Sequence, residues 1–228
     1  MPKVYCIIPA RSGSKRIKNK NILNFYGIPL IGRTIKTARN SKIFDKVIVS
    51  SDSRKIINIA KKYGAINYGL REKKFSRDKI TTDQLVFREI NRCNLQKIDI
   101  LCCIYPATPL LKSKMLIEGF KKFKKENYNS LISVAKYEYP IFRALKINKK
   151  KINFIWNKFQ NKRSQEIKDT VHDVGYFYFF KTSKFLKEKK IINKNTGFYE
   201  IPRDQAIDID EYIDLKIAKK LFKKWGKF

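Results

Sequence analysis

Apolar residues along this chain fall alternately into unbroken runs and into helical spacing. Residues 4–8 (VYCII) form a continuous apolar run, which predicts a strand buried on both faces. Leu30, Ile31, Ile35 and Ala38 recur at the period of one helix face, predicting a helix over 30–41. A second strand is predicted over 46–51 (KVIVSS), ending at Asp52. Ile56, Ile57, Ile59 and Ala60 predict a helix over 54–63, with Gly64 as its C-terminal stop. A short third strand over 65–68, a helix over 81–92, a fourth strand over 99–104 (DILCCI) and a helix over 115–125 continue the alternation. Pro106 and Pro109 close the fourth strand.

Strands and helices in strict alternation imply an α/β fold, a three-layer, Rossmann-like and mostly parallel sheet with helices on both faces. Ligands of such sheets bind beyond the carboxyl ends of the strands. After Tyr128 the texture changes. Residues 131–135, 141–147 and 152–156 are apolar without a helical period, and 174–180 (VGYFYFF) read as a strongly aromatic strand. Residues 136–172 are expected to project from the sheet as an insertion within a single domain spanning 1–228. An apolar stretch at 207–209 and a terminal helix over 212–225 complete the pattern.

Composition changes this picture little. Hydrophobic residues make up 43% and aromatics 13% of the 228 residues, enough for a packed core. No apolar run approaches the roughly 18 residues of a membrane span, and the N-terminus meets charges too early for a signal peptide, so a cytoplasmic protein is expected. Four cysteines without zinc-site spacing read as reduced, inert thiols. Charge is the exception. Fifty-two Lys and Arg against 20 Asp and Glu give +32, which admits a nucleic-acid-binding protein as the alternative class. Lysine is spread over every predicted helix surface and the aromatics sit in apolar runs, so a compositional drift is the preferred reading over a dedicated polyanion face.

Two stretches carry candidate chemistry. The first, IIPARSGSKRIKNKN (residues 7–21), leaves the first strand through a small-residue turn into clustered cations. It is neither G-x-x-x-x-G-K-[ST] nor G-x-G-x-x-G. A turn at Gly13 that bares backbone N–H groups, with Arg11, Lys15 and Lys20 converging, suits a triphosphate. A solvated basic loop is the other reading. The second stretch holds Asp208 and Asp210, which point the same way at i and i+2 on an extended segment. They make either a carboxylate pair or, for Asp210, an N-cap to the last helix.

The loop "IPARSGSKRIKNKN" resembles the N-terminal motif of the CMP-sugar synthetases, which activate nine-carbon acid sugars with CTP. "DKVIVSSDS", "AKKYGA", "LRE", "LCCIYPATPLL", "RSQ", "HDVGYFYF" and "AIDIDEYIDLKIA" follow that family in order, over essentially the whole chain. "GSKRIK", "CCIYPATP", "YPIFRALKIN" and "RSQEIKDTVHDVGYFYF" look most like the branch that activates pseudaminic acid, a sibling of the CMP-sialic acid synthetases. The resemblance implies a nucleotide-diphospho-sugar transferase type of sheet and a CTP-dependent nucleotidyltransferase. It places Arg11, Ser14 and Lys15 at the phosphates, Ser12 and Gly13 with them in the nucleotide-binding loop, Lys20 near the α-phosphate, and Asn21 and Arg71 near the cytosine. It makes Asp208 and Asp210 ligands of Mg²⁺, and Arg163, Gln165, His172 and Asp173 candidate sugar contacts. It also implies a homodimer built through the insertion. At Tyr105, sialic acid enzymes typically carry glutamine, so tyrosine points to the pseudaminic branch over sialic, legionaminic or Kdo-type acids.

Overall fold

The computed structural model describes residues 2–97 and 99–225. In chain order the elements are β1 (Val4–Pro9), β2 (Asn24–Phe25), β3 (Ile28–Pro29), α1 (Leu30–Asn40), β4 (Lys46–Ser50), α2 (Arg54–Lys62), α3 (Thr82–Arg92), β5 (Ile100–Ile104), α4 (Ser113–Lys125), β6 (Ser130–Lys136), β7 (Leu145–Asn148), β8 (Lys151–Phe154), β9 (Val171–Lys181), α5 (Thr182–Glu188), β10 (Thr196–Glu200) and α6 (Tyr212–Trp225). Six strands form one sheet in the order β10-β6-β9-β5-β1-β4. The pairs β4–β1, β1–β5 and β6–β10 are parallel, and β9 runs against both its neighbours.

The unbroken apolar runs have a direct cause in this layering. Along β1, Cys6 and Ile8 face one core, packed with α1, α2 and α4, while Tyr5 and Ile7 face the other, packed with α3 and α5. Both faces are covered, so both alternating sets must be apolar. α3 begins in a capping box: Thr81 accepts from the Gln84 N–H while the Gln84 side chain accepts from the Thr81 N–H. A third, smaller cluster joins Ile17, Phe25 and Leu30 to Ile209, Leu215 and Ala218. It packs α6 and the segment before it against the basic loop.

The short third strand expected over 65–68 does not form. Ile66 makes one bridge to Ile48, after which Asn67 turns its side chain to the Val49 carbonyl (2.7 Å) and Gly69 takes a φ of +104°. Residues 207–209 are irregular as well, and α5 and β10 add elements that the apolar pattern did not reveal. Between β6 and β9, strands β7 and β8 pair only with each other, in an exposed hairpin separate from the main sheet.

Candidate active site

The carboxyl ends of β1, β4 and β5 open at one edge of the sheet, where a cavity of about 600 Å³ lies. The structure brings Arg11, Ser14, Lys15, Lys20, Asn21, Arg71, Tyr105, Asp208 and Asp210 together on its wall. These residues come from four separate stretches of sequence.

Four of the cations on that wall are paired with carboxylates. Asp78 accepts from Arg11 Nη1 and from Lys15 Nζ (2.5 Å), and these hydrogen bonds, Lys15 first, hold its carboxyl below the usual range. Asp210 binds Arg16 Nη2 (2.8 Å) and Lys20 Nζ (3.2 Å), and Lys20 also donates to the Ile209 carbonyl (2.6 Å). Asp78 therefore stands between two cations of the basic loop, and Asp210 between two more.

The turn is built differently from the expectation. Gly13 has no positive φ, and a Cβ there would meet nothing within 4 Å, so the conformation does not require glycine. Ser12 instead fixes the turn, its N–H and hydroxyl both reaching Asp52 (2.8 and 3.0 Å). Buried Asn21 closes the loop by donating to the Arg11 carbonyl (2.9 Å).

Arg71 is 4% exposed, and burial, the leading cause, lowers its guanidinium below its ordinary range. Its backbone N–H donates to the Ser51 carbonyl (2.7 Å) and its Nε to Ser76 Oγ (2.9 Å), but buried Nη1 has no hydrogen-bond partner among the described residues. A buried donor left unpaired costs about 1–3 kcal/mol, so this nitrogen is a natural place for a ligand acceptor. The segment carrying Arg71 is tied to α3. Arg92 donates to the Gly69 carbonyl (2.8 Å), Arg88 pairs with Glu72 (3.1 Å), and both arginines meet the wholly buried Glu89. Ser50 Oγ donates to the same carboxylate (2.9 Å). Sequence reasoning missed Asp78 and Glu89, since an acid beside a basic neighbour looks like any surface charge until its partners are known.

Tyr105 separates the main cavity from a second one of about 240 Å³, lined by Asp83, Asp173, Tyr178 and Lys190 among others. Its hydroxyl bonds Thr82 Oγ1, its ring meets Tyr178 edge-on (centroids 5.6 Å apart), and burial pushes its phenol up to about 12. Asp173 accepts from Tyr178 (2.9 Å) and from the Gly175 N–H (2.8 Å). Arg163, Gln165 and His172 line neither cavity. Gln165 lines a hollow of about 260 Å³ beside Tyr137 and Tyr139, and His172 packs its ring 5.0 Å from Tyr137. Arg163 is exposed at the start of a 3-10 turn.

Among the described residues no cluster of three or more His, Cys, Asp or Glu could hold a metal ion. Asp208 and Asp210 are the remaining donors. Asp208 stands exposed at the cavity mouth with no hydrogen bond or ion pair among the described residues. Partial desolvation by the surrounding protein, the leading cause, raises its carboxyl above the usual range, Lys20 acting the other way. Two hard carboxylates, one of them unengaged, fit a Mg²⁺ ion, which takes one or two protein carboxylates and fills its other positions with phosphate oxygens and water.

The profile of the cytidylyltransferase family matches residues 5–223. The chain is 39% identical over 224 residues to a pseudaminic acid cytidylyltransferase of Campylobacter jejuni, covering 97% of each chain. It is 28% identical over 219 residues to an N-acylneuraminate cytidylyltransferase of Escherichia coli, covering 95% of this chain and 51% of that one. Among solved structures it superposes on a CMP:2-keto-3-deoxy-manno-octonic acid synthetase complexed with CTP, with a TM-score of 0.71 at 14% identity, covering 97% of this chain and 99% of that one. This last likeness shows that the two share a fold.

Proposed function

The chain belongs to the cytidylyltransferase family, and from that premise we propose that it joins CTP to a nonulosonic acid, pseudaminic acid, giving the CMP-sugar and pyrophosphate. The observation that carries this reading is the convergence of the basic loop, Arg71 and the two aspartates on one cavity. CTP lies there with its phosphates toward Arg11, Ser14, Lys15 and Lys20 and its base toward Asn21 and the unpaired Nη1 of Arg71. The sugar enters past Tyr105, with Asp173 in the adjoining cavity. Its anomeric hydroxyl attacks the α-phosphorus, an O–P bond forms as the bond to the β-phosphate breaks, and pyrophosphate leaves. The hydroxyl proton passes to solvent.

Positioning and charge neutralisation do most of the work in such a transfer. The triphosphate replaces Asp78 between Arg11 and Lys15, so these side chains exchange one anion for another. Asp208 and Asp210 would hold Mg²⁺, which supplies Lewis-acid charge at the α-phosphate. Lys15→Ala is expected to lower kcat/KM for CTP about 10-fold or more, the scale of one lost charge-assisted hydrogen bond. Lys124→Ala, on α4 over the Phe120 ring, is the control and should change little. Equal losses in steady-state assays of the two variants would assign the effect to global charge and refute a dedicated phosphate loop.

The hairpin region supports a homodimer. Tyr139 (76% exposed), Ile147 (80%) and Ile152 (63%) offer apolar surface on a segment that does not join the main sheet. A second copy covering this surface would bring Arg163, Gln165 and His172 toward a neighbouring cavity. The double variant I147D/I152D is expected to sediment as a monomer where the parent sediments as a dimer. A parent that sediments as a monomer, or a variant that stays dimeric, would exclude the hairpin as the interface. No helix among the described residues is long and apolar enough to cross a membrane, and the four cysteines are free, which supports a cytoplasmic setting.

A further inference from the structure

We propose that Tyr176 is a positioning residue that holds the aspartate segment in place for its metal ion, an inference that rests on the reading of Asp208 and Asp210 as ligands. Tyr176 lies on β9 and is wholly buried, with its hydroxyl reaching the chain just before Asp208. That hydroxyl donates to the Gln205 carbonyl (2.6 Å) and accepts from the Ile207 N–H (3.1 Å). One oxygen thus ties two points of an irregular segment that has no strand or helix of its own at 206–210. Beyond it, Lys20 donates to the Ile209 carbonyl and to Asp210, Arg16 pairs with Asp210, and the Asp210 and Glu211 N–H groups donate to Asp214. No hydrogen bond holds the Asp208 side chain itself among the described residues, so its place is set by the backbone on which it stands.

The anchor is itself fixed. The pairing of β6 with β9 shifts register between Ile132 and Val134, and at that irregularity the buried Ser133 hydroxyl accepts from both the Tyr176 and the Phe177 N–H (3.1 and 3.0 Å). Such irregularities re-aim side chains beside functional sites. The Tyr176 carbonyl in turn accepts from the Tyr105 N–H (3.2 Å). One residue therefore bonds through its backbone to the tyrosine between the two cavities and through its side chain to the segment bearing both aspartates. A buried phenol could have been phenylalanine for packing alone. Buried hydroxyls that gain a partner on a functional loop contribute orientation as well as stability.

The test is Tyr176→Phe, which keeps the ring and removes the oxygen. Binding of Mn²⁺ to the protein with CTP present, followed by its paramagnetic signal, is expected to weaken about 10-fold, the range for losing a group that orients a metal ligand. The half-saturating Mg²⁺ concentration for pyrophosphate release should rise in parallel, while CTP binding without metal stays unchanged. A purely structural role would lower the melting temperature and leave both metal readings in place, and that result overturns the proposal. Asp208→Asn is measured alongside. If Asp208→Asn weakens Mn²⁺ binding and Tyr176→Phe does not, the positioning role is wrong and the ligand assignment stands. If neither does, the ligand assignment fails, and the inference from it fails too.

Discussion

Asp208→Asn is expected to cut pyrophosphate release about 10²-fold, the scale of losing one preorganised electrostatic group at a reacting centre. The side chain is exposed and makes no hydrogen bond or ion pair among the described residues, so the amide fills the same space and breaks no contact. A loss of that size would therefore report on chemistry. Asp210→Asn should cost as much, but for two reasons, because Asp210 also pairs with Arg16 and Lys20. Removing that charge leaves Lys20 partly buried beside a neutral group, so the melting temperature should fall for Asp210→Asn and hold for Asp208→Asn. Chelation of divalent ions should bring the parent down to the level of the variants. Near-parental turnover in Asp208→Asn, or in the parent with chelator, would show that no metal ion works through this pair.

Much of the fold was legible because both sheet faces are covered. Cys6 and Ile8 belong to one core and Tyr5 and Ile7 to the other, and that arrangement writes an unbroken apolar run into the sequence. What failed was whatever depends on distant partners. The direction of β9 follows from its pairing with β5 and β6, and nothing in VGYFYFF itself tells a parallel from an antiparallel strand. Ile66 looks like a strand residue, but Asn67 and Gly69 turn the chain away after one bridge. The site divided in the same way. Arg11, Lys15, Asp208 and Asp210 stood out as local clusters and do share one cavity. Asp78 lies 67 residues from Arg11 and Glu89 lies 39 from Ser50, so their roles as counter-charge and buried anchor needed the folded chain. Gly13 shows the reverse error, a glycine credited with a turn that Ser12 and Asp52 make.

Pseudaminic acid is expected to be preferred over N-acetylneuraminic acid by at least about 10²-fold in kcat/KM. Tyr105 motivates this. Its hydroxyl is already engaged by Thr82, and its ring packs edge-on against Tyr178, whose own hydroxyl is engaged by Asp173. Burial keeps the Tyr105 phenol neutral well above physiological pH, its titration pushed up to about 12. At Tyr105, between the two cavities, a sugar therefore meets an aromatic ring whose one polar atom is already engaged. A glutamine there would offer both a donor and an acceptor to a hydroxylated chain. The Tyr105 ring face suits the deoxygenated carbon of pseudaminic acid and offers no partner to the glycerol hydroxyls of N-acetylneuraminic acid, a mismatch of the kind that costs up to about 10⁴-fold in well-built sites. Tyr105→Gln should narrow the preference mainly by slowing pseudaminic acid. Arg163→Ala should slow both sugars, since each carries the carboxylate that a clamp at this residue would hold. The measurement is pyrophosphate release with CTP, Mg²⁺ and a panel of nonulosonic acids. Equal or faster turnover of N-acetylneuraminic acid by the parent would overturn the sugar assignment and leave cytidylyl transfer standing.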